Sequence, residues 1–336
     1  MKRVVFLEDL KEAEIRPDAA YEEYKNILQN DIASFFPDQS LFVKTNCPGC
    51  SGKRFRKVFV KFTFQYCRCR DCGSLFVSPR PTEEMLRNFY QNSAAVSFWN
   101  SRVAERTKGA RYRHFSFPMA QWVLELADEY LPQARIFLDY NSKHPDFLSA
   151  IYEAKKFEKA ILVSPGLPQL EELIPKRDTV IYDDMHPVKE KVQVFTAFEV
   201  LERIFNPIAF IKEVHDACQK GGLFFLTTNT VSGFEYQMLN DKSPRLHPPD
   251  RINLLSIEAI QERLTESGFE VIELSTPGRL DVEIVRNAME KDPTVSLPEF
   301  WQYILKSRDE SAWHALQEFL QRHRLSSYVR VAARKK

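Results

Sequence analysis

Two Cys-x-x-Cys pairs stand 18 residues apart, Cys47 with Cys50 and Cys69 with Cys72. Each pair sets two thiols on one tight turn, and two such turns complete a tetrahedron of thiolates around a metal ion. Four protein ligands leave no open position for a reacting group, so the spacing predicts a structural zinc site. Gly49 lies inside the first turn and Gly73 follows the second. Glycine lets the backbone turn closely enough for its amides to face the sulfurs. Five of the six cysteines fall between 47 and 72. In a chain without a secretory leader pattern, such a cluster favours metal over disulfides. A reduced, metal-free cluster and redox use of one pair remain open alternatives. Cys67 reads as a strand cysteine beside the site.

The other chemistry-bearing residues are dispersed. Asp139 is followed by Asn141, Lys143 and Pro145, and Asp183 stands beside Asp184. Carboxylates such as these can accept hydrogen bonds from a ligand; the bland reading of Asp183 and Asp184 is a solvated turn. Glu199 and Glu202 read as one helical turn apart, either facing a ligand or serving the helix dipole. His247, beside Pro248 and Pro249, is a candidate general base, as is Glu202; a loop histidine is more often plain surface. Trp99, Tyr112 and Trp122 could line a sugar site or simply pack.

These residues need a frame. The 336-residue length suggests about two domains, and 44% hydrophobic with 28% charged residues is ordinary globular composition. Net charge is +1, so no global basic excess points to nucleic acid. The N-terminus turns acidic too early for a signal peptide, no apolar run is long enough to span a bilayer, and the cytosol is the expected compartment. Four segments follow: a helical extension over 1–40, a zinc ribbon over 41–81, a helical linker or cap over 82–132, and an α/β domain over 133–336. The ribbon holds an alternating strand, Val58, Val60, Phe62, Phe64 and Tyr66. Strands are expected at 135–139, 159–163, 179–183, 192–198, 223–228, 269–275 and about 328–332. Helices are expected at 146–155, 167–174, 207–218 and 256–267, with a helical insertion over 288–324. Strands alternating with helices predict a mainly parallel sheet covered on both faces.

The run CPGC…CRCRDCGSLFVSPRPTEEMLRNFY resembles the zinc-binding leader of bacterial class I S-adenosylmethionine (SAM)-dependent methyltransferases. Relatives in that family modify sugars in antibiotic and surface-glycan pathways. VQVFTAFEVLERIFNPIAFIKEV, KGGLFFLTTNT and INLLSIEAIQERLTESGFEVIELSTPGRLDVEIV resemble later segments of the same family. The resemblance covers roughly residues 20–333. It implies an α/β, Rossmann-like seven-stranded methyltransferase sheet with the last strand antiparallel, carrying an N-terminal zinc ribbon. It implies SAM as cofactor beside structural zinc, with Asp139, Asn141, Asp183 and Glu199 at the cofactor-binding positions. It further implies a sugar or glycan intermediate, or a pathway protein, as partner.

The sequence departs from the family pattern at defined places. The three positions of the glycine loop after the first strand hold Asn141, Lys143 and Pro145. Asn tolerates a left-handed backbone, Lys143 adds a cation, and Pro145 removes an amide donor. Ser164 stands where the second strand ordinarily ends in an acid. Arg203 and Arg251 replace histidines, and arginine cannot act as a base near neutral pH. Glycine is scarce, 10 of 336. Three readings follow: a methyltransferase of sugar or glycan intermediates, an inactive relative kept as a binding or scaffold module, and, as a minor alternative, a nucleic-acid binder. The last would use Arg54, Arg56, Lys57, Lys61, Arg68 and Arg70 of the ribbon.

Overall fold

The computed structural model describes residues 4–6, 9–141, 145–164, 179–185 and 188–336, without the side chain of Pro145. Eleven strands are seen in this set: β1 Phe55–Lys61, β2 Phe64–Cys69, β3 Leu75–Val77, β4 Ile136–Tyr140, β5 Lys159–Val163, β6 Thr179–Tyr182, β7 Val192–Phe198, β8 Cys218–Asn229, β9 Asn253–Leu254, β10 Phe269–Ser275 and β11 Tyr328–Lys335.

Seven of them form one sheet in the order β10-β11-β8-β7-β4-β5-β6. Strands β6, β5, β4, β7 and β8 run parallel, whereas β11 is antiparallel to both of its neighbours. The α/β, Rossmann-like seven-stranded methyltransferase sheet expected from the sequence is therefore present. The side chains of its central strands divide cleanly between two cores. Leu138, Ile161, Phe195, Phe224 and Leu226 pack on one face. Phe137, Leu162, Val194, Leu223 and Phe225 pack on the other. Period-two alternation with both faces apolar is the signature of a sheet sandwiched between helices. The helices Pro207–Ala217 and Ile257–Glu266 lie on the first face, and Phe117–Tyr130 and Pro145–Glu153 on the second.

Local signals explain most boundaries. Asn206 caps the helix that starts with Pro207, accepting from the amide of Ala209, and Ser256 caps the next by accepting from Ala259. Two expectations change. Strand β8 begins at Cys218, because Cys218 already pairs with Val192 before the Gly221-Gly222 turn. The helical insertion begins at Asp281 and comprises helices Asp281–Lys291, Glu299–Ser307 and Glu310–Arg322. Buried Val282 and Val285 give its first helix an apolar face over Leu297 and Leu320. The helix expected at 167–174 lies outside the described residues.

The N-terminal part builds a separate core. Helix Asp18–Phe35 contributes Tyr21, Tyr24, Leu28 and Ile32, which pack with Phe64, Tyr66, Leu75 and Val77 of the ribbon. The ribbon hairpin of β1 and β2 is joined by β3, and β9 from the α/β domain completes a four-stranded sheet. The ribbon thus shares a sheet with the segment that carries Arg251. Among the described residues no helix is long and apolar enough to cross a membrane.

Candidate functional site

The sulfurs of Cys47, Cys50, Cys69 and Cys72 all lie within 4.8 Å of one another. Cys47 and Cys72 are 3.5 Å apart, and Cys50 and Cys69 3.6 Å. A tetrahedron with metal–sulfur bonds of about 2.3 Å separates its sulfurs by roughly 3.8 Å, so this set can hold one metal ion. The amides of Gly49 and Asp71 donate to the sulfurs of Cys47 and Cys69, each at 3.4 Å. Glycine is needed at 49: a Cβ there would stand 2.6 Å from Ser74 Oγ. Cys67 lies outside the cluster, its thiol turned to the carbonyl of Ser78. The basic residues of the ribbon do not form one free face. Lys61 donates to the carbonyls of Asp241 and Ser243, both at 2.7 Å, and Arg68 to that of Gly73.

A cavity of about 670 Å³ opens at the carboxyl ends of the parallel strands. Ligands of open α/β sheets bind in this crevice, and the size suits a small molecule. Its floor is made by Tyr140 at the end of β4 with Asn141 after it, Asp183 and Asp184 after β6, and Glu199 and Arg203 after β7. Its roof is made by Tyr21, Tyr24, Tyr90 and Trp99 from the N-terminal helices, and by Arg111. His247, Asp250 and Arg251 close one side.

Each expected residue has a definite place. Asn141 adopts φ 52° and donates its amide to Val163, so the first glycine position keeps the left-handed turn with an asparagine. Lys143 and the side chain of Pro145 lie outside the described residues. Asp139 is buried, accepts from Thr196 Oγ1 at 2.6 Å and does not line the cavity. Ser164, just after β5, is buried and its hydroxyl has no partner among the described residues. Asp183 is exposed at the rim. Of the aromatic candidates, Trp99 lines the cavity. Tyr112 stacks outside on Phe117, and Trp122 packs in the core against Phe225 and Arg330.

Glu199 and Glu202 do not share a helix. Glu199 sits at φ 54°, a left-handed position that costs a non-glycine residue about 1–3 kcal/mol, and its amide donates to the carbonyl of Thr227. The turn this produces sends Glu202 inward, where Thr228 Oγ1 donates to it at 2.7 Å and Asn229 Nδ2 at 3.0 Å. Arg251 approaches both carboxylates, Glu202 at 3.9 Å and Glu199 at 4.0 Å, and Arg203 lies 3.8 Å from Glu199. Burial alone would weaken the charge of Arg251, but Glu202 and Glu199 outweigh it and hold its pKa above the usual value. Arg203 is buried with Nε and Nη1 lacking partners.

His247 is buried rather than a surface loop residue. Its Nε2 lies 2.9 Å from the hydroxyl of Tyr21, which donates to the carbonyl of Pro244 at 2.7 Å. With the tyrosine proton so placed, Nε2 is the protonated nitrogen and Nδ1 has no partner. Burial, reinforced by the charge of Lys61, pushes the imidazole pKa well below its usual value and keeps the ring neutral. Arg111 rests on the face of Trp99 at 5.3 Å, and burial lowers its pKa to about 10. Tyr21, Tyr24 and Arg111 were not recognisable in the sequence as site residues. Their helical spacing shows an apolar face but not that it covers a crevice.

Residues 111–274 match the family model of a methyltransferase domain. The match runs from the helices before β4 to the end of β10 and spans just under half of the chain. No curated protein matches in sequence. The chain is similar to three solved structures in particular. A SAM-dependent methyltransferase from Thermotoga maritima shares 16% identity, covering 71% of this chain and 98% of that one, with a TM-score of 0.41. The plantazolicin methyltransferase shares 10%, covering 74% and 94%, with a TM-score of 0.47. A SAM-dependent methyltransferase from Mesorhizobium loti shares 12%, covering 64% and 98%, with a TM-score of 0.40.

Proposed function

We propose that the chain is a SAM-dependent methyltransferase acting on a sugar or glycan intermediate, with structural zinc in its four-cysteine site. The observation that carries this reading is the cavity at the carboxyl ends of β4 and β7, floored by the left-handed Asn141 and roofed by tyrosines and a tryptophan. Asp183 and Asp184, just after β6, set carboxylates on the same cavity. SAM supplies an electrophilic methyl group on a sulfonium. The chain's own share is orientation, which is the larger part of the rate in such transfers. Trp99, Tyr21 and Tyr24 line the cavity with aromatic rings against which a sugar can pack, and Glu199 sets a carboxylate on the cavity floor. Neutral His247 is the candidate to take a proton from an acceptor hydroxyl, with Glu202 the weaker alternative because its oxygens are engaged by Thr228 and Asn229.

The arginine pair supports a second reading, an inactive relative that binds or scaffolds. Arg203 and Arg251 place fixed cations where the resembling family has histidines, and both approach Glu199. Titration calorimetry with SAM and S-adenosylhomocysteine separates the two. Micromolar binding of either supports the first; absence of heat with both leaves the second.

A further inference from the structure

Asn253 is 1% exposed and sits between the ribbon and the cavity. On one side it belongs to β9, paired with Phe76 of β3. On the other, its side-chain amide donates to the carbonyls of Leu201 and Ile204, at 2.9 and 2.8 Å, and its backbone amide donates to that of Glu202 at 3.0 Å. Three successive donors from one residue thus hold the turn 201–204. The turn's own bonds, from the amides of Arg203 and Ile204, both end on Val200 and leave those three carbonyls to Asn253. Glu202 and Arg203 project from this turn.

We infer that Asn253 is a positioning residue for the polar wall of the cavity, and that it transmits the order of the four-cysteine site to Glu202 and Arg203. The physical chain is short. Cys72 turns its thiol to Ser74 Oγ at 3.2 Å, and Ser74 Oγ accepts from the amide of Ser256 at 3.0 Å. β3 follows directly and fixes β9 through Val77, whose amide donates to Ile252 at 2.9 Å. Arg80, fully buried, spans the same gap by donating to the carbonyl of Phe205 at 2.9 Å. The ribbon has few apolar residues around its cysteines, Phe76 among them. Leu75 and Val77 of β3 and Leu254 of β9 have apolar anchors in the core around Tyr24 and Leu28, so filling the site sets the order of the cysteine turns and of the β3 start that Ser74 ties to Ser256. Emptying the site removes the constraint at Ser74, and the loosening passes along β3 and β9 to the amide of Asn253. The seven-stranded sheet has two cores of its own and does not need this chain of contacts.

Hydrogen–deuterium exchange on the full chain tests this without any ligand. Chelation of the wild-type protein is expected to raise exchange at 75–77, 200–206 and 251–254, while β4, β7 and β8 keep their protection. Asn253→Asp keeps the shape but sets a carboxylate against two carbonyls. With metal retained it is expected to raise exchange at 200–206 by about tenfold, the equivalent of roughly one lost buried hydrogen bond. Leu254→Ala removes apolar burial from the same strand and keeps every donor of Asn253, so its effect on exchange at 200–206 is expected to be smaller than that of Asn253→Asp. The inference is overturned if chelation loosens only 47–80, or if 200–206 responds equally to Leu254→Ala and Asn253→Asp. A calorimetric arm with S-adenosylhomocysteine adds a binding readout, expected to weaken by about tenfold in Asn253→Asp. If the wild type binds none, the cofactor reading fails while the exchange arm still decides the role of Asn253.

Discussion

Tyr66 belongs to the ribbon and Arg251 to the cavity wall, and the phenol of Tyr66 donates to the carbonyl oxygen of Arg251 at 2.8 Å. Tyr66 is completely buried. A buried hydroxyl is retained where it meets an otherwise orphaned acceptor, because leaving either group unpaired is costly. The ribbon is therefore seated on the α/β domain by directed bonds as well as by apolar packing.

Tyr66→Phe keeps the ring and removes only the donor. The carbonyl of Arg251 is then left without that bond, at an expected loss of about 1–3 kcal/mol. Urea unfolding measures it. A loss below about 0.5 kcal/mol would show that another donor, water included, replaces the phenol.

Arg203→Met has the opposite expectation. The guanidinium is buried with two nitrogens unpartnered among the described residues, and the carboxylate of Glu199 lies at 3.8 Å. A flexible apolar side chain of similar length removes the desolvated charge, and Glu199 keeps Arg251 nearby. Stability is expected to hold or to rise by about 1–2 kcal/mol. A loss of about 3 kcal/mol or more in thermal unfolding would mean that Glu199 depends on Arg203.

His247 makes stability depend on pH. Its folded pKa lies well below the ordinary value of 6.5, with burial the main cause. Below 6.5 the unfolded chain binds a proton that the folded chain refuses, so folding weakens as the pH falls. The contribution is fully present above 6.5 and is lost by about 1.4 kcal/mol per pH unit below it, until the folded ring itself titrates. His247→Gln removes that slope. Urea midpoints at pH 7.5 and 5.5 should differ less in the variant than in the wild type, and equal differences would assign the acid sensitivity elsewhere.

The frame was legible because it rests on patterns that sequence carries directly. Alternating apolar runs such as Val194 to Phe198 must lie in a sheet buried on both faces, and Asn206-Pro207 must start a helix. The four cysteines were legible as one cluster because two Cys-x-x-Cys turns each bring a pair of thiols together. The site beyond them was not. Glu199 and Glu202 stand three apart and read as helical, yet a left-handed φ at Glu199 turns the chain, and no residue preference announces it. The resemblance put Asp139 at the cofactor, but the neighbouring Thr196 takes it inward. β9 is two residues long, too short for any periodicity, and it pairs with a strand far away in the chain. Contacts of that range are set by the packing of whole elements.

The metal site offers the last prediction. Cys72→Ser removes one of four thiolates, whereas Cys67→Ser alters a buried thiol that faces Ser78 outside the cluster. Purified wild-type protein is expected to carry about one zinc per chain by elemental analysis. Cys72→Ser should carry far less and be cut by protease at the cysteine turns, within residues 43–54 and 69–74, because few apolar residues surround the cysteines. Cys67→Ser should retain full zinc and resist the protease as the wild type does. Equal zinc in Cys72→Ser and the wild type would remove Cys72 from the ligand set, and loss of zinc in Cys67→Ser would bring Cys67 into it.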